Sequence, residues 1–224
     1  MVGDEDLLRP PEREMKPYPP KVITLVSGEK LLIRQAEREE VPKLLDAVRP
    51  LTTVAKDYYD IVASRVYAEL LGWYRYRVRD EYCLVGLIDG EIVGIVNGRI
   101  VDDKTGMSYH TMALKRGLRV GAHLFPAKME YHFMMDQEEV LVVAESPIGF
   151  RRWMEELRLE PKNEVHHELG GVDSWVLTKE NFETFMKPEK LFGERPVPDE
   201  IIEANKEIIV PPPEEIRRRV TGEG

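Results

Sequence analysis

The chain has almost no cysteine, no surplus of positive charge and no long apolar run, and each shortage removes a class of function. One cysteine, Cys83, among 224 residues forbids an intrachain disulfide and fits a reducing cytoplasm. It lies in an apolar stretch, which reads as a buried structural thiol rather than a nucleophile. With 41 Asp and Glu against 32 Lys and Arg the net charge is -9, a field that repels polyphosphate. Neither nucleic acid nor an anionic membrane is therefore expected as a partner. No apolar run approaches membrane-spanning length, and residues 1–6 are acidic with no apolar segment after them, so no secretory signal is expected. Histidine is sparse too. His166 and His167 alternate across a strand, and His123 and His132 fall on opposite sides of a helix, so no metal-ligand set is expected.

What remains suits one α/β domain with appendages. Residues 1–30, rich in Pro and charge, read as an N-terminal arm, 31–178 as the domain and 179–224 as a C-terminal extension. A short strand at 31–33 comes first. Pro42 then opens a helix in which Val41, Leu44, Leu45 and Val48 fall at i, i+3, i+4 and i+7, and Tyr58, Val62, Val66, Leu70 and Trp73 line one face of a second. Strands follow at 82–88 and 91–96 through Asp89-Gly90, a dipeptide suited to a tight hairpin, while Asn97-Gly98 offers a rival turn or a bulge. After these come a strand at 108–114, a helix at 122–135, a buried strand at 140–144 and a helix introduced by Ser146-Pro147. A hairpin of 165–169 with 174–177 across Gly170-Gly171 closes the order β-α-α-β-β-β-α-β-α-β-β. Strands this continuously apolar predict a sheet covered on both faces. The extension carries Phe182, Phe185, Leu191, Phe192, Ile201, Ile202, Ile208 and Ile209, too much apolar surface to leave in water. It is expected to pack on the domain or on a second subunit, which would make a homodimer.

Between the strand at 108–114 and the helix at 122–135 lies Lys115-Arg116-Gly117-Leu118-Arg119-Val120-Gly121. A strand, a glycine loop and a helix start make an anion site, because the first helix amides lack intrahelical acceptors and stand at the positive end of the dipole. Gly117 and Gly121 let the main chain approach a ligand, and Lys115, Arg116 and Arg119 gather positive charge in an acidic protein. Ala122-His123 stands where a Walker A loop needs Lys-Ser/Thr, and the dinucleotide spacing is missing, so nucleotide hydrolysis is not expected. A glycine loop that only begins an ordinary helix is the plain alternative.

The loop resembles the pyrophosphate loop of the GNAT superfamily of N-acetyltransferases, R/Q-x-x-G-x-G/A. Arg116, Gly117, Val120 and Gly121 fit it, and Arg119 stands where the first motif glycine belongs. The order of elements over 31–178 is similar to the GNAT order, with the loop between the fourth strand and the third helix. The resemblance implies an α/β fold with a mixed, mostly antiparallel sheet and helices on both faces. It implies a cytoplasmic acyltransferase that moves an acetyl group from acetyl-CoA to an amine of a small molecule or peptide. A catalytically degenerate CoA-binding or interaction module on the same fold is the alternative.

The resemblance also assigns positions. Arg116, Gly117, Leu118, Arg119, Val120, Gly121 and Ala122 would hold the diphosphate, and a backbone amide of Met112, Ala113 or Leu114 would meet the thioester carbonyl. The pantetheine would lie between that strand and 140–144, with Ser146 where the family often has a contacting Asn. Aligning Leu157-Arg158-Leu159 with the family's L-G-F puts Met154 where a Tyr usually protonates the thiolate. For a base, Glu145 at its strand end and His110 on the preceding strand are the candidates by position. A solvated carboxylate and a hydrogen-bonded sheet residue are the plain readings of the same two. Tyr109, Trp73, Tyr74 and Tyr76 would line an acceptor pocket or belong to the core.

Overall fold

A computed structural model of the chain describes residues 12–143, 147–166, 173–187, 191 and 193–222. Its strands are β1 (Lys21–Thr24), β2 (Lys30–Gln35), β3 (Glu81–Ile88), β4 (Glu91–Ile100), β5 (Thr105–Ala113), β6 (Glu139–Val143), β7 (Glu160–His166) and β8 (Asp173–Thr178). They form one sheet in the order β1-β2-β3-β4-β5-β6-β8-β7, antiparallel at every junction except β5 with β6. The α-helices are α1 (Val41–Val48), α2 (Tyr59–Tyr74), α3 (Val120–Met134), α4 (Pro147–Leu157), α5 (Lys179–Phe185), α6 (Asp199–Ala204) and α7 (Pro213–Thr221).

Period-two alternation divides the core between the two faces of the sheet. Cys83, Val85 and Leu87 of β3 pack with Leu44 and Val48 of α1, Val66, Leu70 and Trp73 of α2, and Ile216 and Val220 of α7. Tyr82, Leu84 and Ile88 face the other way, onto Val120, Leu124, Ala127 and Tyr131 of α3. The opposite side of α3 presents Phe125, Met129 and Phe133 to Trp153 and Leu157 of α4 and Phe182 of α5. Being covered on both sides, α3 shows no apolar stripe in sequence. It lies close to the sheet because Gly94 and Gly106 make room. A Cβ on Gly94 would stand 2.6 Å from Leu124, and one on Gly106 would stand 2.2 Å from the His132 ring.

Two strands differ from expectation. The presumed arm contains β1, which pairs with β2 (Val22↔Leu32) and buries Lys21, Val22 and Ile23, so the sheet begins before residue 31. Pro19-Pro20 and a charged first residue conceal it. Lys21 is tolerated inside because its Nζ meets Glu130 Oε2 at 2.8 Å. At the other edge β7 occupies Glu160–His166 rather than 165–169. An edge strand accommodates Pro161, which a central strand would not, and its polar sequence shows no apolar alternation. The Gly170-Gly171 turn lies outside the described residues.

The chain after Thr178 packs on the domain. Phe182 of α5 lies against Phe133, with ring centroids 4.9 Å apart. Asn205, next to α6, accepts the Gly90 N–H of the β3–β4 turn at 2.8 Å, and Ile209 bridges to Glu91. Arg195 also holds Glu130, with contacts of 2.9 and 3.1 Å.

Candidate functional site

β5 connects the two halves of the site. Among the described residues it pairs with β6 only from Thr105↔Glu139 to Ser108↔Val142, then runs on to Ala113 with β4 beside it. Among those residues the edge of β5 facing β6 is therefore free of a strand partner over its second half. In an antiparallel ladder successive N–H groups point alternately toward and away from the partner strand. The Leu114 N–H is taken by the Val93 carbonyl at 2.8 Å, which puts Leu114 and Met112 toward β4 and the Ala113 and Thr111 amides toward the opening. Of the three residues expected to offer an amide, Ala113 alone is turned the right way, and Thr111 is added.

Beyond Ala113 the glycine loop takes up its shape through Gly117 at φ +88° and Arg119 at φ 56°, and Arg119 is the N-cap of α3. The helix thus starts at Val120, two residues earlier than expected. Arg119 makes no side-chain cap and the first turn holds no acidic residue. Ala122 donates to the Arg119 carbonyl at 2.9 Å, which leaves the Val120 and Gly121 amides ahead of it without a helical acceptor. Space for a ligand is present: nothing lies within 4 Å of a Cβ placed on Gly117, and one on Gly121 meets only Thr111 Cγ2, at 3.8 Å. The loop cations differ. Lys115 pairs with Glu29 at 3.3 Å and Arg116 with Asp57, while Arg119 is exposed with no ion pair among the described residues. Asp57 and Tyr58 both hold left-handed backbone, at φ 53° and 62°. Tyr59 follows them, lies 5.3 Å under the Arg116 guanidinium and donates its hydroxyl to the Ala113 carbonyl at 2.7 Å. The start of α2 is thereby fastened to the loop.

Where β5 leaves β6 it also bulges. Val96 pairs with Thr111 and Gly98 with Ser108, so Asn97 alone faces Tyr109 and His110. The two rings consequently lie side by side, centroids 6.3 Å apart at 26°, instead of on opposite faces. The bulge frees the His110 main chain from the ladder, and side chains replace the strand. Asn97 Oδ1 accepts the His110 N–H at 3.2 Å, and Lys128 Nζ of α3 donates to the His110 carbonyl at 2.9 Å. The His110 ring meets Glu69 of α2, Nε2 to Oε1 at 3.1 Å. Asn97 Nδ2 donates to Glu69 Oε2 at 2.6 Å and to Glu81 Oε1 at 3.1 Å. Arg99 grips Asp80 at 2.7 and 3.0 Å and reaches the Tyr109 hydroxyl at 3.4 Å.

Burial sets the protonation of this cluster. It pushes the Glu81 carboxyl well above the ordinary carboxylate range, and the Glu69 charge adds to the effect. Two carboxyl groups, Glu69 and Glu81, thus share the Asn97 amide in a buried cluster. Burial also lowers Lys128 to about 7, against the upward pull of Glu69 and Cys83. A histidine ring beside a carboxyl group is a candidate proton acceptor, and the start of α3 can hold an anion.

No family model matches the sequence, and no curated protein matches it. Its fold does match solved structures. An uncharacterized protein from Bacillus halodurans gives a TM-score of 0.55 at 14% identity, over 78% of this chain and 98% of its own. The GNAT domain of S. lividans PAT gives 0.53 at 11% identity, over 74% of this chain and 99% of its own. The chain has the GNAT fold.

Among the expected site residues, the structure brings together His110, the end of β5 and the loop from Arg116 to Ala122. Glu145 and Ser146 lie outside the described residues. Trp73 and Tyr109 are buried in the core, and Arg38 stacks over Trp73 and Tyr76 at 5.4 and 4.0 Å. Met154 packs with Phe125 and Trp153 in the cluster beneath α3. Sequence reasoning missed Glu69, Glu81 and Lys128. Glu69 left a trace, since it sits between Val66 and Trp73 on the buried face of α2, where a carboxylate is expensive without a partner. Among the described residues no helix is long and apolar enough to cross a membrane.

Proposed function

We propose that the chain is an acyltransferase that moves an acetyl group from acetyl-CoA to an amine of a small molecule or peptide. The observation that carries the reading is the half-free edge of β5, with its Thr111 and Ala113 amides, leading directly into a roomy glycine loop and the uncapped start of α3. In this reading the Val120 and Gly121 amides, with Arg119, hold the diphosphate. The Ala113 amide donates to the thioester oxygen, where negative charge develops. His110 removes a proton from the acceptor ammonium. The amine nitrogen then bonds to the carbonyl carbon, the C–S bond breaks with its electron pair on sulfur, the nitrogen gives up its second proton to water, and water returns a proton to the thiolate.

One observation favours a second reading. Met154, packed against the cluster beneath α3, stands where the family uses a Tyr, and a thioether has no proton to give; a CoA-binding module without catalysis is the alternative. Mass spectrometry of the native protein as purified, followed by assay of acetyl-CoA against a panel of amines, decides. Retained CoA with acetylated product supports transfer, retained CoA without product in any member supports the module, and failure to bind CoA at all overturns both.

A further inference from the structure

We propose that Glu69 is a positioning residue for His110, holding the imidazole in place with Nε2–H toward the carboxylate. This rests on the reading of His110 as the base. Three bonds close a ring around the bulge: His110 Nε2 to Glu69 Oε1 at 3.1 Å, Asn97 Nδ2 to Glu69 Oε2 at 2.6 Å, and the His110 N–H to Asn97 Oδ1 at 3.2 Å. The carboxylate is fixed at both oxygens by groups that also fix the main chain and the ring of the same histidine. Such an arrangement determines tautomer and rotamer together. Glu69, Asn97 and His110 are all at least nine-tenths buried, so water does not compete for these contacts.

Other groups surround the pair. Glu81 on β3 shares Asn97 with Glu69, its carboxyl raised by burial, and Asp80 before β3 is engaged by Arg99 of β4. Tyr109 of β5 stacks beside the ring, with burial raising its hydroxyl above its ordinary range, and Lys128 of α3 points at the His110 carbonyl. The Glu69 carboxyl is in direct contact with Nε2, and an ionised carboxylate there only accepts, which calls for Nε2–H. In Glu69→Gln, an amide NH₂ turned toward Nε2 would favour the Nδ1–H tautomer instead.

The test uses the full chain with labelled histidine, studied by NMR without any ligand, and with the His110 signal assigned from His110→Gln. The wild type should show the Nε2–H tautomer. Glu69→Gln should shift the signal to the Nδ1–H tautomer, and Glu69→Asp should restore the Nε2–H form. A wild-type Nδ1–H tautomer would overturn the proposal, as would an unchanged tautomer in folded Glu69→Gln. The wild-type spectrum decides even if the variant does not fold. The kcat/KM of His110→Gln then separates the two claims. A fall of about a hundredfold or more with a wild-type Nε2–H tautomer supports both, whereas an unchanged kcat/KM with that tautomer leaves Glu69 in its role and removes His110 as the base.

Discussion

Replacing Gly121 with Glu should make the protein more stable and unable to bind CoA. Gly121 is the second residue of α3, in a first turn with no acidic residue and no side-chain cap. A Cβ there makes one ordinary contact, 3.8 Å from Thr111 Cγ2, so the substitution meets no steric obstacle. Relieving a helical glycine gains roughly 0.5 kcal/mol after the lower propensity of Glu relative to Ala is allowed for. A carboxylate at the positive end of the helix adds about 0.3–1 kcal/mol. Together they amount to about 1 kcal/mol, a rise in Tm of roughly 2–4 °C for a chain of this size. The same carboxylate occupies the proposed diphosphate position, and like charges so placed cost several kcal/mol, a loss of affinity of about a hundredfold or more. Thermal unfolding and calorimetric titration with CoA read the two effects separately. A lowered Tm would show that the surroundings of Gly121 are not as open as described. Unchanged affinity in the folded variant would remove the start of α3 as the diphosphate site.

Glu130→Gln tests the attachment of both ends of the chain to α3. Burial alone would raise the Glu130 carboxyl, but Arg195, Lys21 and Tyr18 hold it at about 2 against an ordinary 4.5, while Lys21 is lowered by its own burial more than Glu130 raises it. A depressed carboxylate stabilises the fold above its ordinary value and loses that contribution as pH falls from about 4.5 to about 2. The variant should therefore be about 3 kcal/mol less stable at pH 7 and approach the wild type near pH 2; a constant gap across urea melts at both pH values would refute this. Asp57→Asn releases Arg116 from its ion pair and should tighten CoA binding two- to fivefold at low salt, the scale of an exposed pair; unchanged calorimetry would show that Arg116 does not contact the ligand. Ile216→Ala in α7, at 1% exposure, should cost about 2–5 kcal/mol within a single unfolding transition, whereas an unaltered melt would make the extension a loose appendage.

Elements whose burial has a period were legible in the sequence. The apolar spacing of Val41, Leu44, Leu45 and Val48 and the Asp89-Gly90 turn located α1 and the β3–β4 hairpin, although β4 runs through Asn97-Gly98 to Ile100 rather than ending at 96. β1 and β7 were not legible, because one begins with a lysine buried through a distant Glu130 and the other is a polar edge strand containing Pro161. The glycine loop was readable because φ and close approach restrict residue choice locally. The surroundings of His110 were not, since Glu69, Glu81, Asn97 and Lys128 come from four elements and meet only at a bulge. Asn97-Gly98 signalled an irregularity there, and pairing shows that the extra residue belongs to β5. Which strand-end amide faces the opening depended on ladder register, which a single sequence does not contain.

The proposed acetyl-CoA site is tested most directly by amide hydrogen exchange of the full protein with and without acetyl-CoA. It predicts slowed exchange at Thr111 and Ala113 on the free edge of β5 and at residues 117–121 around the start of α3, with Met112 and Leu114, already turned toward β4, changing least. Protection elsewhere, or none at these amides under saturating acetyl-CoA, would contradict it.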